Sequence, residues 1–351
     1  MRRSSWTGSR AVRPGRGLLA LVLGLATLLV AGVPRATLAQ GEDVCAEPND
    51  DLQAACYLGP GSEALGFISR PGDVDAYRIE VLDFDVGVRV ELSNGALPYV
   101  AELANWNGDT IAASTQTREG VEVVDTTVRA PGTYYIKVRS PSGAFSDAEP
   151  YGLVRTLAYP GAAIPQLLYS SDFGGERPSG FAGVNDVARY AEVGGRSTIA
   201  MTVGGRATEP TIAWAAWGAQ FSDFTLSLDA RVPAGADAGF QIFFRRLDTD
   251  NFYVVTIDAR DGRAMLGRSV DGVSSGTDWV RSAAIDVGGG VNRCVVRATG
   301  DQIRVNINGT DAIMATDPTF SAGRFGFGAI AWGRPPVVEF DNVIVTTPTE
   351  R

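Results

Sequence analysis

Oxygen-bearing side chains are grouped early in the chain, where they could hold a hard cation. Glu47, Asn49 and Asp50 lie in one short run, and Asp73 follows in a later Gly-Asp turn. Carboxylate and amide oxygens are the ligands that Ca²⁺ takes in proteins. Carboxylates in turns also accept hydrogen bonds from backbone N–H groups. The residues therefore leave two interpretations open, a structural calcium site and a capped turn.

Aromatic side chains in the second half of the chain could form a ligand-binding surface. Sugar sites combine aromatic faces with polar side chains at the rim. The candidates for such contacts are Trp214, Trp217, Tyr253, Trp279 and Trp332. Trp214 and Trp217 are three residues apart, so on a strand they face opposite sides and one of them belongs to the core. Core or edge packing is the alternative for each ring.

Two consecutive arginines, Arg245 and Arg246, precede a turn at residues 247–251. Their position at the end of a strand-like run predicts a solvated face for both. Contact with an anionic sugar is the alternative, and it makes Arg245 a further candidate for ligand binding.

The side chains of the commonest nucleophilic enzymes are missing. The chain has no His, and Lys137 is the only Lys among 31 basic residues. Without His, the Ser–His and Cys–His nucleophile systems cannot be built, and zinc sites with His ligands are excluded. A Gly-x-Ser-x-Gly match at residues 272–276 lies in a predicted hairpin turn, whereas that motif needs a strand-to-helix elbow. Carboxylate chemistry and oxygen-ligated metals remain open.

The elements that would position these residues are strands. Apolar and polar residues alternate through Phe224–Val232, Phe240–Phe244, Tyr253–Ile257 and Ile303–Ile307. A period of two indicates strands with one buried face. Many such strands joined by turns are typical of a β-sandwich. The sequence therefore predicts an all-β protein without a long amphipathic helix.

The chain divides into two predicted β-sandwich domains of the jelly-roll kind behind an N-terminal segment. Short strand-like runs fill residues 43–158, including a hairpin whose turn lies at 105–109. Residues 159–165 form an uncharged linker with two Pro. Residues 166–348 form the second unit. A chain of 351 residues is long enough for both.

The first 39 residues are predicted to be a secretory signal peptide. A basic segment precedes an apolar run from Leu18 to Gly32, and Thr37-Leu38-Ala39 offers a cleavage site before Gln40. An uncleaved membrane anchor is the alternative. No later stretch is long and apolar enough to span a bilayer. We therefore expect a protein that is secreted or held in the cell envelope.

Charge and cysteine content agree with export. Removal of residues 1–39 takes away six Arg, so the formal charge changes from −9 to 25 − 40 = −15. A chain this acidic is a poor candidate for nucleic-acid binding. Cys45 and Cys56 are predicted to form a disulfide in an oxidising compartment. Cys294 is expected to be a small buried hydrophobic residue.

Three motifs follow one another in the first unit, Glu47-Pro48-Asn49-Asp50, Gly72–Ile79 and Pro131–Val138. In this order they resemble the bacterial pre-peptidase C-terminal domain family. The resemblance implies a small, non-catalytic accessory sandwich on a bacterial exported protein. Some members of that family bind calcium through the Glu-Pro-Asn-Asp segment and a later Asp. The implied ligands here are Glu47, Asn49, Asp50 and Asp73.

The second unit carries Ser171-Asp172-Phe173, Gly239–Arg245, Gly323–Phe327 and Phe340–Val343 in order. This order resembles the concanavalin A-like lectin/glucanase sandwich of the laminin-G-like kind. Such a fold hosts lectins, glycosidases, adhesion modules and spacers. The layout is also similar to that of the 3-keto-disaccharide hydrolases. The stretch after residues 251–253 lacks the aromatic and acidic positions expected for that family.

Asp172 and Asp341 lie near the two ends of the second unit. They would meet if the terminal strands pair, as they usually do in the fold that the unit resembles. Many such sandwiches hold a structural calcium there, so both residues are further metal candidates. A capped turn is the alternative.

Glycosidases of this fold carry Glu-x-Asp-x-x-Glu on one strand, and retaining enzymes need two carboxylates about 5 Å apart. That pattern is absent from the chain. We therefore predict no catalytic residue and a binding protein whose partner is a polysaccharide or cell-surface glycan. A sugar-active hydrolase or lyase is one alternative, and a purely structural accessory protein is another.

Overall fold

The computed structural model describes residues 45, 47–59, 63–93, 97–117, 121–161, 164–174, 179–183, 186–206 and 210–348. The predicted signal peptide, residues 1–39, lies outside these ranges, as do residues 162–163 of the predicted linker. The regular structure within them consists of 26 strands. No helix of membrane-spanning length and hydropathy occurs in the described ranges. The prediction of an all-β fold is confirmed.

Ten strands form the first sandwich. They are β1 (Cys56–Tyr57), β2 (Glu63–Gly66), β3 (Val74–Val81), β4 (Val86–Ser93), β5 (Val100–Ala104), β6 (Thr110–Ala113), β7 (Thr115–Gln116), β8 (Glu122–Val128), β9 (Gly132–Arg139) and β10 (Tyr151–Ala158). They pair into two five-stranded sheets, in the orders β1-β3-β9-β5-β6 and β2-β10-β4-β8-β7. The predicted hairpin is confirmed, since β5 and β6 are antiparallel and the Gly108 amide donates to the Asn105 carbonyl at 2.9 Å.

The inner faces of these two sheets form the first core. Tyr77, Ile79 and Val81 alternate inward along β3 and meet residues such as Val88 and Val90 of β4. The predicted disulfide between Cys45 and Cys56 is present, with Cα atoms 5.7 Å apart. It ties the chain before the first sandwich to strand β1.

Sixteen strands form the second sandwich. They are β11 (Leu167–Ser171), β12 (Ala182–Gly183), β13 (Ala188–Glu192), β14 (Ser197–Met201), β15 (Thr211–Ala216), β16 (Phe224–Arg231), β17 (Ala238–Arg246), β18 (Phe252–Asp258), β19 (Arg263–Val270), β20 (Val273–Gly276), β21 (Val280–Arg281), β22 (Val291–Thr299), β23 (Gln302–Ile307), β24 (Thr310–Thr316), β25 (Arg324–Ala331) and β26 (Val337–Thr346). One eight-stranded sheet runs β13-β14-β26-β16-β22-β23-β24, with β11 also on β26. The other runs β12-β15-β25-β17-β18-β19-β20, with β21 also on β19.

The period-two pattern correctly predicted which side chains enter the second core. Phe240, Ile242 and Phe244 of β17 point inward, as do Val255 and Ile257 of β18. Cys294 lies in the same core, as expected, and burial raises the pKa of its thiol. The outward-facing residues of the two sheets are left to contact the first sandwich or the solvent.

A fully buried arginine joins the two sandwiches. Arg293 of β22 donates from Nε and Nη2 to the two carboxylate oxygens of Asp229, at 2.7 and 2.8 Å. Its Nη1 donates to the Thr133 carbonyl of the first sandwich at 2.6 Å, and its guanidinium lies 4.4 Å from the Trp106 ring centre. A Cβ on Gly132 would come within 2.5 Å of this guanidinium, so the glycine makes room for it.

Other residues of the same strand, β22, also contact the first sandwich. Val295 packs with Phe84 and Ala130 of the first sandwich. Arg297 pairs with Asp83 of the first sandwich at 3.3 Å. The described residues belong to one compact unit, although no strand pairs across the two sandwiches within them. The predicted boundary at 159–165 falls between β10 and β11, and the division into separable domains stays a prediction.

Candidate functional site

One sheet of the second sandwich carries an open groove on the face turned away from the core. The groove has a volume of about 540 Å³ and lies across strands β15, β25, β17, β18, β19 and β20. We call it the aromatic groove. It is lined by Pro210, Ile212, Trp214, Gln241, Phe243, Thr249, Phe252, Val254, Thr256, Met265, Gly267, Arg268, Ser274, Ser275, Gly276, Trp279, Ile330 and Trp332.

Strand register arranges the floor of the aromatic groove in rows. Trp214, Gly328, Gln241, Thr256 and Met265 are successive neighbours on β15, β25, β17, β18 and β19. Because strands lie about 4.8 Å apart, this row is roughly 19 Å long. An extended ligand can therefore lie across the strands and contact several of these side chains at once.

A glycine at the centre of the row brings two aromatic rings together. A Cβ on Gly328 would lie 3.0 Å from the Phe243 ring and 3.2 Å from the Trp214 Cβ. With no side chain there, the ring centres of Trp214 and Phe243 approach to 4.7 Å over strand β25. The glycine thus allows a continuous aromatic surface on this part of the floor.

Each of the three groove tryptophans is stacked against an arginine. The guanidinium carbon lies 4.0 Å from the ring centre in the Arg246–Trp214 pair. The corresponding distance is 4.7 Å between Arg260 and Trp332, and 4.6 Å between Arg263 and Trp279. A guanidinium held against a ring face restricts the rotation of that ring. The stacks therefore preorganise the groove walls for a ligand.

One buried carboxylate anchors two of these stacks. Asp258, at the end of β18, is fully buried, and its Oδ2 accepts from Arg260 at 3.0 Å and from Arg263 at 3.1 Å. Asp258 therefore positions Trp332 and Trp279 indirectly, through the arginines that cover them. Sequence reasoning missed this arrangement. The signal was an acid followed at two and five residues by Arg, which places both arginines around one hairpin turn.

The polar groups of the aromatic groove are few. Gln241 is only 4% exposed; its Nε2 donates to Thr256 Oγ1 at 2.9 Å, and its Oε1 is buried without a hydrogen-bond partner. Arg268 is already paired with Asp317 at 2.6 Å. None of the eighteen lining residues in the described part of the chain is Asp or Glu. The described lining thus offers apolar contact and hydrogen bonds but no carboxyl group for proton transfer.

Three sequence-predicted tryptophans meet in this groove, and two other candidates do not. Trp214, Trp279 and Trp332 line it. Trp217 packs against the second core, so the expectation that one member of the Trp214 and Trp217 pair is internal is correct. Tyr253 is buried, and its hydroxyl donates to Asp317 Oδ1 at 2.7 Å. Tyr253 was wrongly placed among the ligand contacts, because the alternation of β18 turns it into the core.

The prediction of a solvated face for Arg245 and Arg246 is wrong, since both are buried. Arg245 is 1% exposed, and its guanidinium donates to the carbonyls of Ser222, Gly300 and Phe320. A bulge in β17 causes this, since Arg245 has a φ of 45° and the register with β25 shifts between Phe243 and Arg246. The extra residue reverses the alternation, so Arg246 takes the position on the groove side that Arg245 would have held.

The structure brings three of the four predicted early metal ligands together. Glu47, Asp50 and Asp73 each place a carboxylate oxygen within 4.8 Å of the others. Asp73 is 2% exposed and its Oδ1 accepts no hydrogen bond. Arg70 lies at the same place, 2.5 Å from Asp50 and 3.4 Å from Asp73. The oxygens suit Ca²⁺, but a cation would have to displace this arginine.

Asn49, the fourth predicted ligand, holds the backbone instead. In the amide orientation that satisfies both of its polar atoms, its nitrogen donates to the Val74 carbonyl at 3.3 Å and to Asp75 Oδ1 at 3.0 Å. The Asn49 carbonyl also accepts from the Ala76 amide at 3.1 Å. These contacts fix the loop against β3, which is the role of a turn anchor.

The second predicted metal pair lies in a cavity between the two sandwiches. The terminal strands β11 and β26 do pair, and Asp172 and Asp341 both line this cavity of about 540 Å³. Asp172 accepts a hydrogen bond from Arg78 at 2.5 Å. Burial, with the nearby carboxylates of Asp229 and Asp172, raises the pKa of Asp341 to about 7. Calcium at this pair stays a prediction.

Several solved structures are similar to parts of this chain. A carbohydrate-binding module of the CBM66 kind from Bacillus subtilis is 22% identical, with a TM-score of 0.40, over 48% of this chain and 96% of that one. A Bacillus licheniformis beta-glucanase is 9% identical, with a TM-score of 0.41, over 54% and 100%. The pre-peptidase C-terminal domain of a Bacillus anthracis collagenase is 17% identical, with a TM-score of 0.25, over 29% and 94%. No curated protein matches the chain.

A family model matches the second sandwich. The match covers residues 169–346, just over half of the 351 residues, and includes every strand that lines the aromatic groove. The family is described as a 3-keto-alpha-glucoside-1,2-lyase-like domain. The chain belongs to this 3-keto-alpha-glucoside-1,2-lyase-like domain family.

Proposed function

We propose that this protein binds carbohydrate through the aromatic groove. The observation that carries the proposal is the meeting of Trp214, Trp279 and Trp332 in one groove, each with a ring face held by an arginine. Tryptophan faces stack on the C–H surfaces of sugar rings, and stacked rings lose little conformational freedom on binding.

The polar centre of the groove supports the same ligand class. Gln241 leaves one buried acceptor unpaired between Trp214 and Met265, and such an acceptor is costly unless water or a ligand donates to it. A hydroxyl-bearing ring can cover the apolar floor and, if the Gln241 amide turns toward the groove, donate to its Oε1. A purely apolar ligand would leave this oxygen unsatisfied.

Binding of a glycan array by the full chain tests the proposal, followed by titration of the best glycan against tryptophan fluorescence. Trp214→Ala is expected to weaken binding roughly 10- to 100-fold, as is typical for a buried aromatic contact. Phe145→Ala removes an exposed aromatic residue from the first sandwich and serves as the matched control. Equal binding by Trp214→Ala and the control would refute the assignment of the groove.

The family match favours a second candidate, cleavage of a keto-sugar by the second sandwich. The lining of the aromatic groove argues against it, because acid–base cleavage needs a proton-transfer group that the described lining does not supply. Incubation of the chain with a 3-keto-disaccharide, followed by chromatography of the products, separates the two candidates. Release of monosaccharide that is lost in Trp332→Ala would replace the binding proposal with an enzymatic one.

We also propose that the chain is exported to the cell envelope or the medium. The disulfide between Cys45 and Cys56 supports an oxidising compartment, and the sequence of residues 1–39 supports a signal peptide. Fractionation of an expressing bacterium, with the N-terminal sequence of the recovered protein, tests this. Recovery of uncleaved protein from the cytoplasm would contradict it.

A further inference from the structure

Arg246 is a buried cation beside the aromatic groove, and none of the ion pairs in the described part of the chain includes it. It is 7% exposed, and its guanidinium lies 4.0 Å from the Trp214 ring centre. Its Nε is buried without a hydrogen-bond partner. Burying a charge without a partner is costly, and buried charges in proteins are normally paired or coordinate a metal.

The neighbours of Arg246 increase this cost. Arg324 is its partner across β25, which places a second cation beside it. Asp248 acts on it electrostatically, but its carboxylate accepts from the Asp250 amide and the Asn251 side chain and forms no ion pair with Arg246 in the described structure. Burial, with the charge of Arg324, lowers the pKa of the Arg246 guanidinium.

The other arginines of the groove differ in this respect. Arg260 is paired with Asp258 at 3.0 Å and with Asp237 at 2.5 Å. Arg263 is paired with Asp258 at 3.0 Å. The same ring-stacking geometry therefore occurs with an ion-paired arginine at Trp332 and at Trp279, and with an arginine that has no ion pair among the described residues at Trp214. The difference points to an external anion at the Trp214 end.

We propose that Arg246, with Arg324 beside it, forms an anion-binding subsite at the Trp214 end of the aromatic groove. The ligand that fills the groove would then carry an oxyanion, either a carboxylate or a sulfate ester, next to the ring that stacks on Trp214. The sugar part of this ligand rests on the proposed function, whereas the anion subsite does not.

The chemistry of the pair fits an oxyanion. Arginine presents its N–H groups in a planar fork that matches two oxygens of a carboxylate or a sulfate. One face of the Arg246 fork is covered by Trp214, so its edge is the part left for hydrogen bonds. Low polarity around the guanidinium strengthens a charge-assisted hydrogen bond relative to water.

Thermal unfolding of the full chain in sodium sulfate tests the anion subsite without any choice of sugar. Wild type, Arg246→Met, and Arg189→Met, which removes an exposed arginine on β13, are compared in sulfate and in chloride at equal ionic strength. Sulfate stabilises proteins generally, so the difference between variants is what counts. Wild type and Arg189→Met should gain about 2 °C more than Arg246→Met at saturating sulfate.

An equal sulfate response in all three proteins would overturn the anion subsite. If Arg246→Met unfolds in the absence of added salt, Arg246→Gln, which keeps a polar amide, replaces it in the same comparison. The same conclusion would follow if Arg246→Met had a higher Tm than wild type in chloride and the same response to sulfate as wild type. Arg246 would then be a buried cation that binds no anion.

Glycan binding separates the two oxyanion sources. The probes are tetragalacturonate for carboxylates, a carrageenan tetrasaccharide, which has no carboxylate, for sulfate esters, and fully methyl-esterified tetragalacturonate as the neutral match. Wild type should bind one acidic probe at least tenfold more tightly than the neutral one, and Arg246→Met should lose that preference. Equal binding of acidic and neutral probes would refute the anion subsite and keep the proposed function. A sulfate response without binding of any glycan would refute the proposed function and keep the subsite.

Discussion

The two sheets of the second sandwich use their outer faces in opposite ways. On the sheet that contains β16, β22 and β26, the outer face is covered by the first sandwich and carries buried charge, with Arg293 and Asp229 at its centre. On the sheet that contains β15, β17 and β18, the outer face is open and aromatic, and no carboxylate lines its groove in the described part of the chain.

This difference separates two kinds of surface. Paired charges on the covered face fix the orientation of the two sandwiches. A different orientation would separate the pairs and leave a buried charge without its partner. An open groove lined mainly by apolar and aromatic side chains has the usual form of a ligand site. The first sandwich is therefore expected to contribute to stability, and the aromatic groove to ligand affinity.

The largest expected effect is at the covered face. Arg293→Met removes the cation from Asp229 and the donor from the Thr133 carbonyl, both of which are buried. Loss of one partner from a buried ion pair costs about 3–5 kcal/mol. Chemical denaturation should show a fall of this size in the free energy of unfolding.

Arg196→Met is the matched control for Arg293→Met. Its ion pair with Glu339 is 3.0 Å long but about one-third exposed on both sides. Exposed pairs contribute about 0–1 kcal/mol. Similar losses in both variants would contradict the idea that the covered face is held by buried charge.

The covered face should also make stability depend on pH. Burial raises the pKa of Glu80 to about 7, and burial with the carboxylates of Asp229 and Asp172 raises the pKa of Asp341 to about 7. Both carboxyls are near pKa 4 when unfolded. The folded protein therefore holds protons that the unfolded chain has released, so the free energy of unfolding falls as pH rises from about 4 to about 7.

Urea unfolding between pH 4.5 and 7.5 measures this slope. We expect a decrease on the order of 3 kcal/mol from each of the two carboxyls over the range. The double variant Glu80→Gln and Asp341→Asn should flatten it, because neither amide titrates. Wild-type stability that rises over this range would show that other groups control the covered face.

The contrast between the two faces was partly readable in the sequence. Period-two alternation placed Phe240, Ile242 and Phe244 in the core, because burial of one sheet face leaves a local pattern. It also indicated that one of Trp214 and Trp217 is internal, since strand geometry relates near neighbours. Local patterns of this kind need no knowledge of the partner strand.

Features that depend on pairing or on a break in the alternation could not be read in the same way. The bulge in β17 depends on the positive φ of Arg245. Arginine has no preference for positive φ, so the sequence gives no signal for this bulge. The meeting of Trp214 with Trp332 depends on the register of β15 with β25, residues far apart in the chain. The contact of Arg293 with Thr133 joins the first and second sandwiches, and no local sequence pattern relates these two residues.

A smaller effect is expected at Asp258, the buried carboxylate that holds two of the groove arginines. Asp258→Asn keeps the shape of the side chain but removes the charge that holds Arg260 and Arg263. Both arginines are partly exposed, so the loss of stability should be only about 1–2 kcal/mol. Glycan affinity should fall several-fold although Trp214, Trp279 and Trp332 are not substituted.

The outcome for Asp258→Asn distinguishes positioning from simple support of the fold. The part of the tryptophan emission that is lost when Trp279 and Trp332 are both replaced by Phe should shift to longer wavelength in Asp258→Asn if these two rings become free to turn. Asp237→Asn removes a second acid from Arg260 but leaves Asp258 intact, and it is the matched control. Unchanged affinity and emission in Asp258→Asn would mean that the walls of the groove do not depend on this carboxylate.

The smallest expected effect concerns the calcium candidate, which lies away from both faces. If Glu47, Asp50 and Asp73 hold Ca²⁺, addition of the ion at five times its Kd stabilises the folded state by about 1 kcal/mol. Arg70 competes for the same oxygens, so Arg70→Ala should bind Ca²⁺ more tightly and show a larger rise in Tm. Asp73→Asn should abolish the rise. Thermal unfolding of wild type, Arg70→Ala and Asp73→Asn with Ca²⁺ and with chelator measures these differences. If wild type and Arg70→Ala each have the same Tm in both conditions, the three carboxylates only cap a turn.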